Sequence, residues 1–411
     1  MSLPIRPILS SLRHHRLTAA LLVLQVALTC AIVANAIFLI AGRVERIRTP
    51  TGIPEAEISL ISVKGVQADT NAIAQQDTDL AALRAIPGVT AAVAVGWTLP
   101  LSGGSDDSGG CADQDALDRA MATRSMDNMP GCIQATHYNG SPGFVQALGA
   151  HLVSGRDFHA DEYGTGSNSP VIVTRSLAQR LWPGQNAVGM MLYGGNKVPV
   201  IGVIDDILRP MLRSDALDRL VVLSPQRPNE SSVRYLLRSA PQDRQRVLTE
   251  AAAALSKAGP LRLVPEDRQL TFTQTRQKYF QRDTTMIGLL LASTLALLFV
   301  TALGIGGLAN FWVQQRTRQI GIRRALGAKR GDILRHFQAE NFMIVGAGVV
   351  LGMVLAYGLN QLLMRQYELD RLPLVYLPLG AVLLWMLGQL AVLGPALRAA
   401  RVAPAIATRA G

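Results

Sequence analysis

Residues 317–334 carry the most specific chemical pattern of the sequence, TRQIGIRRALGAKRGDIL. Apolar and basic side chains recur at helical spacing, and Gly327 allows a turn before a second amphipathic helix that contains Ile333, Leu334 and Phe337. Such a segment suits docking, because apolar side chains can fill a partner's groove while arginines meet acidic groups at its rim. A short helix lying on the membrane surface is the alternative interpretation.

The residue patterns of common catalytic sites are missing from the 411 residues. There is no G-x-x-x-x-G-K-[ST] phosphate-binding loop and no G-x-S-x-G motif. His151, Asp157, His159 and Asp161 lie close in sequence, but a polar loop of this composition is typical of a solvated surface and not of a metal site. We therefore expect no catalytic residue, no metal ion and no directly bound cofactor.

Three cysteines are too few for a disulfide-rich scaffold. Cys111 and Cys132 follow the segment GGSDDSGG, residues 103–110, which we expect to be a mobile loop because it cannot bury apolar surface. In an oxidising compartment Cys111 and Cys132 would pair, whereas the alternative is two unpaired thiols. Cys30 lies within an apolar stretch and is expected to act as a small apolar side chain.

Four stretches are apolar over the roughly 20 residues that a helix needs to cross a bilayer. These predicted transmembrane helices are residues 17–41, 286–312, 342–363 and 374–396. None contains Asp, Glu, Lys, Arg or His, which disfavours a carrier coupled to ions or protons. In the third stretch Gly348, Gly352 and Ala356 recur every four residues, so another helix could approach closely.

Positive charge is concentrated beside the ends of the apolar stretches. Residues 1–16, 313–341 and 397–411 carry net charges of +3, +5 and +3, which together equal the net charge of the whole chain, +11. By the positive-inside rule, both termini and the segment 313–341 face the cytoplasm, while residues 42–285 and the loop 364–373 face the other side. Since the charge follows topology and not a basic folded face, nucleic-acid binding is disfavoured.

Residues 42–285 predict a large α+β domain between the first and second membrane helices. Strands are expected at 57–63, 171–173, 199–203 and 220–223, and helices at 77–86, 141–149 and 244–257. Residues 267–285 lack Gly and Pro and lead into the second apolar stretch. They predict a helical stalk that continues without a break into the membrane.

These segments together resemble a known family. IGIRRALGAKRGDIL, followed by Phe337 and Glu340 and placed between two spans, resembles the signature segment of FtsX-like ABC permeases. GRDF at 155–158, SLAQRLWPGQNAVGMML at 176–192 and VPVIGVIDDI at 198–207 resemble the periplasmic core domain of MacB-type proteins. With one span before that domain and three after it, the resemblance covers nearly the whole chain.

The resemblance implies a type VII, mechanotransmission ABC permease of the bacterial inner membrane. Such a protein is a dimer of four-span subunits, here with a second copy or a paralogue, and each subunit has a periplasmic domain of two subdomains. Separate cytoplasmic ATPase subunits, which bind ATP and Mg²⁺, would drive it, because no fused ATPase domain precedes the first span as it does in MacB. A periplasmic adaptor and an outer-membrane duct are common in the family.

The resemblance also implies which residues contact the ATPase. The coupling segment would be Gln319, Ile320, Gly321, Ile322, Arg323, Arg324, Ala325, Leu326, Gly327 and Ala328. The chain departs from the family at Gln319, where the family usually has Glu, and without that charge an ion pair at this position is not expected. The expected function is export of a periplasmic or membrane-derived substrate, and the alternative is regulation of a periplasmic partner, such as a cell-wall hydrolase, or peptide sensing, without transport.

Overall fold

The computed structural model describes residues 16–65, 71–123, 130–163, 169–213, 217–228, 232–259, 262–367 and 373–401. Residues 1–15 and 402–411, which make up most of the two predicted cytoplasmic termini, lie outside the described residues, as do residues 368–372 of the predicted loop. The chain divides into two compact units. Unit 1 comprises Met1–Arg48 and Arg282–Gly411, and unit 2 comprises Thr49–Gln281.

The described helices, in chain order, are α1 (Arg16–Arg48), α2 (Ala72–Arg84), α3 (Gln114–Thr123), α4 (Phe144–Leu148), α5 (Arg175–Leu181), α6 (Arg244–Lys257), α7 (Phe272–Tyr279), α8 (Gln281–Gln315), α9 (Thr317–Ala325), α10 (Arg330–Tyr367) and α11 (Tyr376–Ala400). The described strands are β1 (Ile58–Gly65), β2 (Val89–Val95), β3 (Asp107–Cys111), β4 (Cys132–Asn139), β5 (Leu152–Gly155), β6 (Val171–Thr174), β7 (Met191–Tyr193), β8 (Lys197–Ile204), β9 (Val221–Ser224), β10 (Ser232–Ser239), β11 (Arg262–Leu263) and β12 (Gln269–Thr271).

Within the part of the chain that the structure describes, four helices are long and apolar enough to cross a membrane: α1, α8, α10 and α11. They extend beyond the predicted spans, since α1 continues to Arg48 and α10 begins at Arg330 and runs to Tyr367. α10 packs along α1, and α11 packs against both. Several polar side chains in these helices find hydrogen-bond partners within unit 1, which offsets the cost of removing them from water. The amide of Asn35, for example, donates to the carbonyl oxygens of Ala31 at 2.9 Å and Ala356 at 3.3 Å.

The first sheet of unit 2 is antiparallel, with strand order β11-β1-β10-β2 and β12 also paired to β1. Alternate residues of β1 and β10 place apolar side chains such as Ile61 and Tyr235 on one face, where they are buried. Helices α2 and α6 cover this face and supply the other half of the core. α6 has the bounds that the sequence predicted. α2 begins five residues earlier than predicted, because the side chain of Asn71, and not that of Asp77, accepts from a backbone N–H of its first turn.

The second sheet of unit 2 has seven strands in the order β5-β8-β6-β9-β4-β3-β7. β7 also pairs with β8, so six of these strands form a closed ring. Helix α5 packs against β4, β6 and β8, and its Leu177 and Leu181 join the apolar core of this sheet. Two sheets with flanking helices make unit 2 an α+β structure.

The prediction of a mobile loop at 103–110 was wrong at its second half. Residues from Asp107 to Cys111 form β3, which pairs in antiparallel register with β4. Glycine and aspartate are poor strand formers, but the strand is held by its neighbour, by a disulfide and by an ion pair of Asp107. Tertiary contacts therefore override the local composition.

The prediction of an unbroken stalk from 267 into the membrane was also wrong. Residues Gln269–Thr271 form strand β12 on β1, and the helix α7 begins only after it, with Thr271 and Gln274 in a capping box. α7 then ends at Tyr279, where the buried Phe280 caps it, and α8 is a separate helix from Gln281.

Candidate functional site

The basic segment between the second and third membrane helices folds into the short helix α9 and a tight turn. α8 ends at Gln315 and α9 begins at Thr317. After α9, Gly327 adopts a φ of +100°, which only glycine tolerates without strain. The N–H groups of Gly327 and Ala328 donate to the carbonyl oxygens of Arg324 and Arg323, both at 3.1 Å, which satisfies the end of the helix. The turn therefore lies where the sequence predicted it.

A buried ion pair fixes α9 against α10. Arg316 Nη1 donates to both carboxylate oxygens of Glu340, at 3.1 and 2.9 Å, and the Glu340 side chain is only 4% exposed. Arg324 Nη1 donates to the carbonyl oxygen of Ala400 in α11 at 3.0 Å, which adds a second tie. The Lys329 N–H donates to Asp332 Oδ2 at 3.0 Å and so satisfies a free donor at the start of α10. α9 is therefore held to the membrane helices at both of its ends.

Sequence reasoning missed these ties. Arg316 and Glu340 are 24 residues apart, and no helical spacing relates them. Glu340 was one of the residues on which the family resemblance rested, but only the structure identifies Arg316 as its partner.

The predicted coupling residues divide into a buried and an exposed set. Ile320 and Gly321 are buried, and Ile320 packs in one core with Ile333 and Phe337 of α10. Ile322 and Leu326, by contrast, are large apolar side chains that are 47% and 83% exposed. Gln319, Arg323 and Ala325 are exposed with them, while Arg324 and Ala328 are half-buried.

The exposed surface around α9 is basic. Arg318, Arg323, Lys329, Arg330 and Arg335 are all exposed. A cleft of about 540 Å³ opens between α9 and the first turns of α10, with Ile320 and Phe337 in its floor and Arg323 at its edge. An apolar patch and a cleft with basic edges form a surface complementary to a partner with apolar knobs and acidic side chains.

The small residues of the third membrane helix face the first membrane helix of the same chain. A Cβ built on Gly348 would lie 2.7 Å from Val26 Cβ, and one on Gly352 would lie 2.5 Å from Cys30 Cβ. Ala356 is fully buried, and its carbonyl oxygen accepts from Asn35. The close approach that the spacing predicted therefore occurs between α10 and α1.

Cys111 and Cys132 are joined by a disulfide, in register between β3 and β4. The free thiol of Cys30 is buried in unit 1.

The motif residues of unit 2 have structural contacts. Asp206 accepts from the backbone N–H of Ser176 at 2.8 Å and from its hydroxyl at 2.6 Å, which fastens the start of α5 to the end of β8. Asp205 pairs with Arg175 at 2.6 Å and lies 3.1 Å from His151 Nδ1. Within the described residues, His, Cys, Asp and Glu side chains form no group of three suited to a metal ion.

Two family models match the chain. The MacB-like periplasmic core domain matches residues 21–258, which include the second sheet of unit 2 and strands β1, β2 and β10 of the first. The FtsX-like permease C-terminal model matches residues 291–404, which include α9. The first match alone spans more than half of the chain. The chain belongs to the MacB/FtsX-like permeases.

The relatives that match this permease are larger proteins. It is 29% identical over 231 residues to the macrolide export ATP-binding/permease protein MacB of Agrobacterium fabrum, a match that covers 53% of this chain and 34% of that protein. It is 27% identical over 242 residues to the probable syringafactin export ATP-binding/permease protein SyfD of Pseudomonas syringae, covering 56% and 35%. The matches thus span about a third of the length of these relatives.

Among solved structures, the permease matches the periplasmic region of MacB from Actinobacillus actinomycetemcomitans. The TM-score is 0.32 and the sequence identity 12%, with 57% of this chain and 97% of that one covered.

Proposed function

We propose that this permease is the membrane subunit of an ABC transporter in which α9 receives the motion of separate cytoplasmic ATPase subunits. ATP and Mg²⁺ are bound by those ATPases. Unit 2 lies in the periplasm and changes position when the ATPases close, which drives export of a periplasmic or membrane-derived substrate. The permease acts as a dimer, of two copies or of a copy and a paralogue.

The observation that carries the proposal is the exposed apolar pair on α9. This short helix lies outside the predicted spans, and Ile322 and Leu326 are exposed with arginines around them. Leaving this apolar surface in water is unfavourable, so a partner that covers it would stabilise the complex. The ties of α9 to α10 and α11, through Glu340 and the Ala400 carbonyl, make it able to pass a displacement to the membrane helices and not only to bind. ABC ATPases are the partners that match this surface in a MacB/FtsX-like permease.

The test is co-purification of the tagged full chain from membranes of its native cell, with ATPase subunits identified by mass spectrometry. Leu326→Asp and Ile322→Asp should each reduce the ratio of ABC ATPase to permease at least tenfold. Met121→Asp, the same kind of change at a position of α3 in unit 2 that is 66% exposed, is the matched control and should leave the ratio unchanged. Ile320 is unsuitable for this test because it is buried, so a charge there would damage the fold. Equal capture by Leu326→Asp and the native chain would overturn the proposal.

The proposed orientation places α9 in the cytoplasm and unit 2 in the periplasm of a cell with an inner membrane. The excess of basic residues beside the membrane helices supports it. Cysteines introduced at Arg323 and at Thr249, both exposed, should differ in labelling of intact cells by a membrane-impermeant maleimide: only Thr249→Cys should react. Labelling of Arg323→Cys in intact cells would contradict the orientation.

Transport is distinguished from regulation by a reconstituted complex. If ATPase binding persists but no candidate substrate moves across vesicles, the complex transmits ATPase motion to a periplasmic partner instead. A periplasmic adaptor and an outer-membrane duct that belong to the complex would co-purify with it after cross-linking, and their absence would show a complex without them.

A further inference from the structure

Unit 2 contains a cavity inside its second sheet. The ring of strands β8, β6, β9, β4, β3 and β7 places alternate residues on one face, because successive side chains of a strand point to opposite sides. Ile133, Ala135 and His137 of β4 share this face, and Ser108 and Gly110 of β3 pair with Ala135 and Ile133. The space between these strands and α5 is not filled by their side chains, which leaves a cavity of about 270 Å³.

Small residues on the strands keep the cavity open. Gly110 and Ala135 lie on neighbouring strands where larger residues would fill the interior of a small closed sheet. A Cβ on Gly110 would already approach Leu192 Cδ1 to 2.9 Å. The remaining wall is aliphatic, and its side chains belong to Ile133, Val171, Leu177, Leu181, Leu192 and Val222.

One edge of the cavity is polar and uncharged. Ser108 Oγ lies 2.6 Å from His137 Nε2, and Asn196, Ser224 and Gln226 line the same cavity. Burial lowers the pKa of His137, so its imidazole is neutral near pH 7. None of the described residues that line the cavity is Asp, Glu, Lys or Arg. An ionised ligand would therefore have no counter-charge among the lining residues, and the Asp106 and Asp107 carboxylates close to His137 would oppose an anion. A hydroxyl or amide would have hydrogen-bond partners.

We propose that this cavity binds a small, uncharged, amphipathic molecule with an apolar body and one hydroxyl or amide. The apolar body would contact the aliphatic wall, and its polar group would exchange hydrogen bonds with Ser108 and His137. An aliphatic protein cavity of about 150 Å³ binds benzene, so a cavity nearly twice as large accepts a body of about ten heavy atoms, such as a naphthalene ring or a medium alkyl chain. The site lies wholly within unit 2 and does not depend on the proposed ATPase coupling.

The site can be located directly by photolabelling the full chain in lipid nanodiscs. The probe is an uncharged decyl alcohol that carries a diazirine, and adducts are mapped by peptide mass spectrometry. Adducts are expected on the peptides that contain Ile133–His137 and Leu177–Leu181, and an excess of 1-naphthol should reduce them. Ala135→Leu fills the cavity and should lower this labelling at least fivefold. The matched control Ala81→Leu, at an exposed position of α2, should leave it unchanged.

A second variant tests the polar edge without filling the cavity. Ser108→Ala should weaken competition by 1-naphthol about fivefold, because its hydroxyl would lose a hydrogen-bond partner. Naphthalene has no hydroxyl, so its competition should be unchanged. Ser108 is exposed, so this change should not affect folding. Adducts confined to the membrane helices, or equal loss of competition by naphthalene and 1-naphthol in Ser108→Ala, would overturn the proposal.

Discussion

Replacing Asp107 by asparagine should destabilise unit 2 far more than its place in a Gly- and Ser-rich segment suggests. Asp107 Oδ2 pairs with Arg209 at 2.6 Å, and the Arg209 side chain is only 2% exposed. Thr136 donates its hydroxyl to Asp107 Oδ1 at 2.5 Å, which fixes the carboxylate. The asparagine side chain would keep the bond from Thr136 but would leave the buried guanidinium without its counter-charge.

The expected cost follows from the burial of that cation. Breaking a buried ion pair by removing one partner costs about 3–5 kcal/mol, most of it from the charge left behind. The Asp107 side chain is 12% exposed, so solvent screens it weakly, and Arg213 adds little because it is 47% exposed. We therefore expect Asp107→Asn to lower the free energy of unfolding of unit 2 by about 3–4 kcal/mol.

Pulse proteolysis of the full chain in a urea series, following the fragments of unit 2, measures this change. The matched control is Asp77→Asn, which removes the ion pair with Arg227 from a carboxylate that is 60% exposed and should cost less than about 1 kcal/mol. The double variant Asp107→Asn/Arg209→Met should recover much of the loss, because it removes the buried charge as well. Equal destabilisation by Asp107→Asn and Asp77→Asn would refute the reasoning.

Three further predictions concern both units. Gly352→Ala places a Cβ 2.5 Å from Cys30 Cβ and should lower the stability of the packing between α10 and α1 by about 1–3 kcal/mol. The buried Cys30 thiol should then react faster with a maleimide. The control Gly358→Ala, whose Cβ would lie in open space, should not accelerate this labelling. Glu340→Gln leaves Arg316 poorly compensated and should lower the temperature at which unit 1 unfolds in detergent; no change would argue against the tie between α9 and α10. Burial raises the pKa of the Asp107 carboxyl, but hydrogen bonds and nearby arginines outweigh it and hold that pKa below its usual value. The stability this carboxyl provides should therefore be complete above about pH 4 and decline as pH falls further, so the gap between the native chain and Asp107→Asn should narrow in acid.

Hydropathy predicted the membrane helices because the bilayer allows few alternatives. A long run without charge must form a helix in lipid, so α1, α8, α10 and α11 follow from the sequence. Their ends do not follow, because polar residues can extend a helix into water on either side.

In unit 2, the sequence predicted an element correctly where its local residue pattern and its packing in the fold favour the same structure. α6 combines helical periodicity with a Gly-Pro stop, and its bounds were predicted. β3 and β12 were missed because each is held by a partner distant in sequence: β3 by β4, and β12 by β1. Local propensity cannot report such partners.

The candidate site was predicted as a segment and not as a surface. The family resemblance predicted a coupling segment at residues 319–328, but it gave no reason to separate Ile320 from Ile322. Burial of Ile320 depends on Ile333 and Phe337, which meet it only after Gly327 turns the chain. Which residues of the segment are exposed, and therefore which substitutions test docking, could be identified only from the structure.

The most direct test of the proposed ATP-driven motion through α9 is a distance measurement in a purified complex of the permease with the ATPase that the proposal predicts. In the proposed dimer of two copies, nitroxide labels at Thr249→Cys in unit 2 of each copy report their separation by pulsed electron paramagnetic resonance. Addition of ATP and Mg²⁺ should shift that distance in the native complex. It should not shift the distance in a Leu326→Asp complex, which is held together by covalent cross-linking because this variant should bind the ATPase weakly. A shift that persists in Leu326→Asp would contradict the account.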